Sequence, residues 1–167
     1  MYKNDKNFRG KKRMNNTKKS LARYLSVQAI YEIFITKKTF EQILKEYIDS
    51  HVNNVSIDFQ HSMISSKKQV NKNYFIKIIQ NCEKEKKKIK QIIEENLDIK
   101  WTYQRLPLVL RSILTVCVSE MMISRDLSIG IIASEYIILS ETFCSENESS
   151  FVNALIENIF KNINVKT

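Results

Sequence analysis

The sequence predicts an all-α protein, and three observations predict it. Only two glycines and one proline occur in 167 residues. A β-sandwich or barrel needs a turn signal roughly every 8–12 residues, and those signals are missing. Hydrophobic residues make up 43% of the chain, enough for a sizeable core, and most recur at the i, i+3, i+4 spacing of a helix face.

Residues 1–17 are polar, basic and rich in Asn, with too few apolar groups to fold alone. They read as a flexible arm in front of a single helical domain, 18–167. The first helix starts near Leu21 and continues through Leu25, Ala29, Ile30, Ile33 and Phe34. It ends near Lys37 and Lys38, where positive charge suits a helix C-terminus. Thr39 with Gln42 forms a capping box, and Phe40, Ile43, Leu44 and Tyr47 then make a short apolar face. Residues 50–69 have no sustained period and read as a loop with at most one helical turn.

Periodicity returns at Val70, Tyr74, Phe75, Ile78, Ile79 and Cys82. It continues past the run Lys84–Lys88 through Ile89, Ile92, Ile93 and Leu97. That run reads as a solvated helix face, with an accessory phosphate contact as the sharper alternative. Trp101 and Tyr103 fall in a connection. Pro107 suits the first turn of the next helix, where its missing N–H has no intrahelical partner.

The last third is the most regular. Leu106, Val109, Leu110, Ile113, Leu114, Cys117 and Met121 follow one another at helical spacing over four turns. Ser128 caps a helix carrying Ile129, Ile132, Ala133, Tyr136, Ile137 and Phe143. Ser145 with Glu148 forms a further capping box, opening a helix with Val152, Leu155, Ile156, Ile159, Phe160 and Ile163. Three amphipathic helices joined by short links must pack against one another.

Charge is unevenly spread. Residues 1–19 carry a net +7 of the formal +9, leaving a nearly neutral body. Such an arm suits a polyanion, above all nucleic acid. An anionic membrane surface and a merely solubilising tail are the other readings. Cys82, Cys117 and Cys144 are far apart with no C-x-x-C pair, as expected of reduced thiols in a cytoplasmic protein. No apolar signal segment opens the chain, and no window of 18 uninterrupted apolar residues exists, so no membrane span is expected.

The sequence offers little for catalysis. His51 and His61 lie in the polar loop without a nearby cysteine, so no metal is expected. No phosphate-cradling glycine motif and no G-x-S-x-G occurs, so no cofactor is expected and the reading is of a non-enzyme. What remains is a basic arm running into the first helix, where Lys18 and Lys19 are followed by Arg23. Lys19 and Arg23, four apart, share one helix face and are expected at the surface. Cations on phosphates with flat side chains under bases is how single-stranded RNA is held.

The residues also resemble a known family. Ala22-Arg23-Tyr24-Leu25-Ser26-Val27-Gln28-Ala29-Ile30-Tyr31 is similar to the first-helix signature of NusB proteins, roughly A-R-x-x-A-V-Q-A-L-Y. Phe151-Val152-Asn153-Ala154-Leu155-Ile156-Glu157 resembles the last-helix motif F-V-N-[GA]-[VL]-L-[DE]. Leu110-Arg111-Ser112-Ile113-Leu114 and Glu135-Tyr136 resemble the L-R-A-I-L and E-Y of the α-proteobacterial type. The likeness runs from about Lys18 to Ile163 and is poor over 50–100.

The resemblance implies a compact bundle of about seven helices in two halves. It implies a transcription antitermination factor that pairs with a small-subunit ribosomal protein, NusE. The pair binds the boxA segment of single-stranded rRNA leader RNA and joins the RNA polymerase antitermination complex. A homodimer in the absence of RNA stays open. Carried over, Arg13, Lys18, Lys19 and Arg23 contact phosphates, Phe143 and Phe151 contact bases, and Asn147 lies in the loop between them. The same phenylalanines also fit plain core positions, and Asn153 fits a hydrogen bond to backbone within the bundle.

Departures from the pattern are visible. Lys18-Lys19-Ser20 stands where the family is Arg-rich, replacing planar guanidinium groups by point charges. Ser134-Glu135 stands for N-E, Asn147 for an often acidic residue, and Ser119-Glu120-Met121 for Y-E-L. Two neighbouring readings share the resemblance: a helical adaptor for protein or rRNA in ribosome biogenesis without antitermination activity, and a guiding domain for an rRNA methyltransferase. The second is expected to need a fused catalytic domain.

Overall fold

The computed structural model describes residues 17–52, 69–124 and 127–165. Arg13, the rest of the arm up to Asn16 and most of the 50–69 loop fall outside the described residues. Seven α-helices and no strand occur among the described residues: α1 (Thr17–Thr36), α2 (Phe40–Ser50), α3 (Lys72–Lys84), α4 (Lys86–Asn96), α5 (Leu108–Ile123), α6 (Ile129–Phe143) and α7 (Glu146–Val165). One 3-10 turn, Tyr103–Arg105, precedes α5. The all-helical expectation and the helix number agree with this.

Caps explain most of the boundaries. Thr39 and Gln42 form the expected capping box of α2. Ser128 Oγ accepts from the Ile131 N–H at 3.4 Å at the start of α6. Glu148 accepts from the Ser145 N–H at 2.8 Å and from its hydroxyl at 2.9 Å at the start of α7. An unforeseen cap is Asn71, whose side chain accepts from the Tyr74 N–H at 3.0 Å and opens α3. Helix α1 ends on Lys37, at φ 58° in the left-handed region, with its N–H donating to Ile33 O at 3.1 Å.

Three boundaries differ from expectation, the first being that α1 opens at Thr17, ahead of the expected start near Leu21. The apparently continuous helix through Lys84–Lys88 breaks at Glu85, whose backbone (φ −105°, ψ 17°) leaves the helix between α3 and α4. Apolar spacing runs through the break because both short helices face the same core. Pro107 is the N-cap of α5, not its first helical residue, with ψ 140° extended.

Helices α1, α2 and α3 pack on one another, and α4, α6 and α7 gather around α5, which also packs on α1 and α3. This is the two-halved arrangement, with α5 as its shared axis. Every residue from Ser112 to Met121 of α5 is buried. Helix α1 is nearly as enclosed, with Leu21, Ala22, Leu25, Val27, Ala29 and Ile30 all in the core. Fully burying side chains such as Leu25, Ile30 and Leu114 stabilises the bundle by roughly 1.5–3 kcal/mol each. The two helices run antiparallel: Arg23 meets Glu120, and the Arg111 guanidinium lies over the Phe34 ring at 4.9 Å. The fold therefore fixes the amino end of α1 on a rigid base.

Candidate nucleic-acid interface

The first turn of α1 carries two lysines and no acid. Lys18 is exposed, and its backbone carbonyl accepts from the Asn71 N–H at 3.0 Å, joining α1 to the start of α3. Lys19 is half-buried, with Nζ 4.9 Å from the centroid of the Tyr74 ring. Cation–π contact at this distance holds the ammonium without neutralising it. Tyr74 is held in turn, its hydroxyl donating to Glu120 Oε1 at 2.5 Å.

Arg23 is not a surface residue. It is 1% exposed, and its partner Glu120 is 0% exposed. Nε donates to both Glu120 oxygens, at 3.0 and 2.8 Å, and Nη2 donates to Oε1 at 2.6 Å. Nη1 lies 3.2 Å from Glu135 Oε2, which also accepts from the Ser20 hydroxyl at 2.6 Å. Tyr136 donates to Glu120 Oε2 at 2.6 Å. Expecting Arg23 beside Lys19 on a solvent face used the right helix face and the wrong surroundings. That face turns under α5 and α6, so Arg23 has no access to a phosphate.

The charges of this cluster follow from its contacts. Burial works against the charged Arg23 guanidinium, but the hydrogen bonds and charge of Glu120 more than offset it and raise its affinity for the proton. Burial likewise opposes the charged Glu120. The hydrogen bonds and charge of Arg23, with the phenols of Tyr136 and Tyr74, hold its carboxyl below the ordinary carboxylate range. Burial, then the Glu120 charge, pushes the Tyr74 phenol up to about 12. The cluster is a fixed, fully charged ion pair clamped by neutral phenols.

The aromatic residues occupy a second region. Phe143, half-buried at the end of α6, stacks on Tyr24 of α1 with centroids 5.3 Å apart. Phe151, half-buried on α7, meets Trp101 at 5.9 Å with the rings tilted by 41°. Trp101 is 47% exposed. Asn147 is exposed, and it lies in the first turn of α7 instead of in a loop. Asn153 does not accept a backbone bond, since its enclosed Oδ1 has no hydrogen-bond partner.

The structure thus keeps Lys18 and Lys19 together at the start of α1. It connects them along α1 to Phe143 through Tyr24, and it sets Phe151 beside Trp101 beyond the α6–α7 corner. Sequence reasoning missed Tyr74, Tyr24 and Trp101 as neighbours of these residues. One signal for the buried pair was present: Glu120 is an acid inside the otherwise apolar run of α5, and a buried charge requires a partner. Among the described residues no group of three or more His, Cys, Asp or Glu could hold a metal. No described helix is long and apolar enough to cross a membrane.

Comparison with known proteins gives a consistent set of similarities. The model of the NusB family matches residues 20–161. The chain is 26% identical over 153 residues to the transcription antitermination protein NusB of Bartonella quintana (strain Toulouse), covering 87% of this chain and 90% of that one. It is 29% identical over 147 residues to the protein of the same name from Clostridium novyi (strain NT), covering 87% and 98%. A crystal structure of the antitermination factors NusB and NusE in complex with dsRNA superposes with a TM-score of 0.70. That match has 19% identity and covers 87% of this chain and 98% of that one.

Proposed function

The chain belongs to the NusB family, and from that premise we propose that it is an RNA-binding transcription antitermination factor acting with the ribosomal protein NusE. The observation that carries the reading is the start of α1. Two lysines stand there without an acid in the turn, one of them seated on a tyrosine that is itself tied to the buried ion pair. A cation held as Lys19 is suits a phosphate backbone, because little side-chain freedom is lost on contact.

The RNA is the single-stranded boxA segment of an rRNA leader. The solved relative that holds dsRNA makes a duplex the natural comparison. The half-exposed rings of Phe143, Phe151 and Trp101 favour a single strand, since only unpaired bases are free to stack on side chains. Lys18, Lys19 and Arg13 take phosphates, the rings take bases, and Asn147 flanks the path without adding negative charge. The complex forms in the cytoplasm, on transcribing RNA polymerase.

A salt series tests this. Binding of a boxA-like single strand, with NusE present, should weaken with a log–log slope of about −2 or steeper, for at least three phosphate contacts at roughly 0.7 each. The matching duplex should bind more weakly. A salt-independent interaction, or none in dilute buffer, would overturn the reading in favour of a protein-only adaptor.

A further inference from the structure

We propose that Lys72, at the opening of α3, is a further phosphate-binding residue, so that the cationic strip spans two helices instead of one. The inference deepens the RNA reading above and rests on it.

Three observations place Lys72 in the strip. The Asn71 N–H donates to the Lys18 carbonyl at 3.0 Å, so the residue before Lys72 is bonded directly to the first exposed lysine of α1. One turn further, Tyr74 carries the Lys19 ammonium on its ring at 4.9 Å. Lys72 stands between these two attachments and is exposed. Its backbone is therefore held in register with Lys18 and Lys19 from both sides, with Asn71 capping the turn and Tyr74 anchored on Glu120.

The surroundings leave its charge available. Neither first turn, of α1 or of α3, contains an acid. None of Lys18, Lys19 and Lys72 takes part in an ion pair among the described residues; the nearby carboxylates Glu120 and Glu135 are engaged by Arg23, Ser20 and the tyrosines. Three lysines without an acid in either turn thus stand at the two adjoining helix starts. A polyanion supplies the missing counter-charge, and one strand carries a phosphate at every nucleotide to offer to both helix starts.

The test uses the full chain with NusE and a boxA-like single-stranded RNA, and reads the salt slope of binding for Lys72→Gln, Lys72→Arg, Lys19→Gln and Lys161→Gln. Lys161 is exposed near the far end of α7 and serves as the control. Lys72→Gln and Lys19→Gln should each flatten the slope by about 0.7. Lys72→Arg should keep the slope, and Lys161→Gln should not change it. A flattened slope for Lys19→Gln but not for Lys72→Gln would overturn this inference and leave the α1 site standing. Unchanged slopes for both would overturn the α1 reading as well. Equal flattening by Lys72→Arg and Lys72→Gln would show that charge is not what Lys72 contributes, and would also overturn it.

Discussion

The Arg23 guanidinium grips the Glu120 carboxylate at two points, Nε 2.8 Å from one oxygen and Nη2 2.6 Å from the other, in the centre of the bundle. Tyr74 and Tyr136 donate to the same carboxylate from α3 and α6. Four helices therefore meet on one acid. Replacing Glu120 by Gln leaves a buried guanidinium with only the partly exposed Glu135 opposite it, and Arg23→Gln leaves the Glu120 carboxylate with no counter-charge. Each should lower stability by about 3–5 kcal/mol, read as a shifted urea midpoint at unchanged denaturant dependence. The double replacement Arg23→Met with Glu120→Met should recover most of the loss. If it is as damaging as the singles together, the pair contributes more than its own charge balance.

Acidification should act through the same carboxyl. Its proton affinity is lower in the folded chain than the ordinary value of 4.5, so the stability it provides is complete above that pH. It is lost as pH falls through the depressed folded value. Urea midpoints should thus be level from neutrality to about pH 5 and drop below about 4.5. Glu32 and Glu148 are lowered too, so the relevant quantity is the difference between the wild type and Glu120→Gln. That difference should shrink on the acid side; a constant difference would mean Glu120 is not the titrating group.

The single tryptophan makes the aromatic region observable. Trp101 is half-exposed and lies against Phe151, so a base stacking there should change its fluorescence on RNA addition. Phe151→Leu should reduce affinity by about 1–3 kcal/mol, the usual worth of one stacked base. It should leave the salt slope as it was, because no phosphate contact is removed. Undisturbed Trp101 emission at saturating RNA would place the bases elsewhere.

Lys37 offers a change that should stabilise. It holds φ 58° at the end of α1, a conformation that costs a side-chain-bearing residue about 1 kcal/mol more than glycine. Lys37→Gly should raise the melting midpoint by a few degrees, and Lys37→Val should lower it. The reverse order would show that the turn relaxes once the chain is free in solution.

The described helices were largely readable from periodicity, because i, i+3, i+4 spacing reports directly on which side of a helix faces apolar surroundings. Caps such as Thr39 and Ser128 were readable for a related reason: their hydrogen bonds are made within three residues. The site was less readable. Spacing shows that Lys19 and Arg23 share a face but not whether that face meets water or α5, which depends on contacts 97 positions away. The neighbours Tyr74 and Lys72 come from the part of the chain least like the family pattern, and the Asn71–Lys18 bond with the Lys19–Tyr74 contact reveals where they lie. The break at Glu85 leaves no mark in the periodicity, because apolar positions on both sides serve one core.

The clamp around Arg23 also bears on the order in which a nascent chain acquires its shape. Helix α1 is synthesised before its partners, Glu120 following Arg23 by 97 positions and Tyr136 coming later still. Until then a guanidinium sits in the middle of an otherwise oily helix with nothing to neutralise it, which opposes premature burial of that segment. Burial of that face is therefore favoured only once Glu120 has been made, and the clamp is completed when Tyr136 follows.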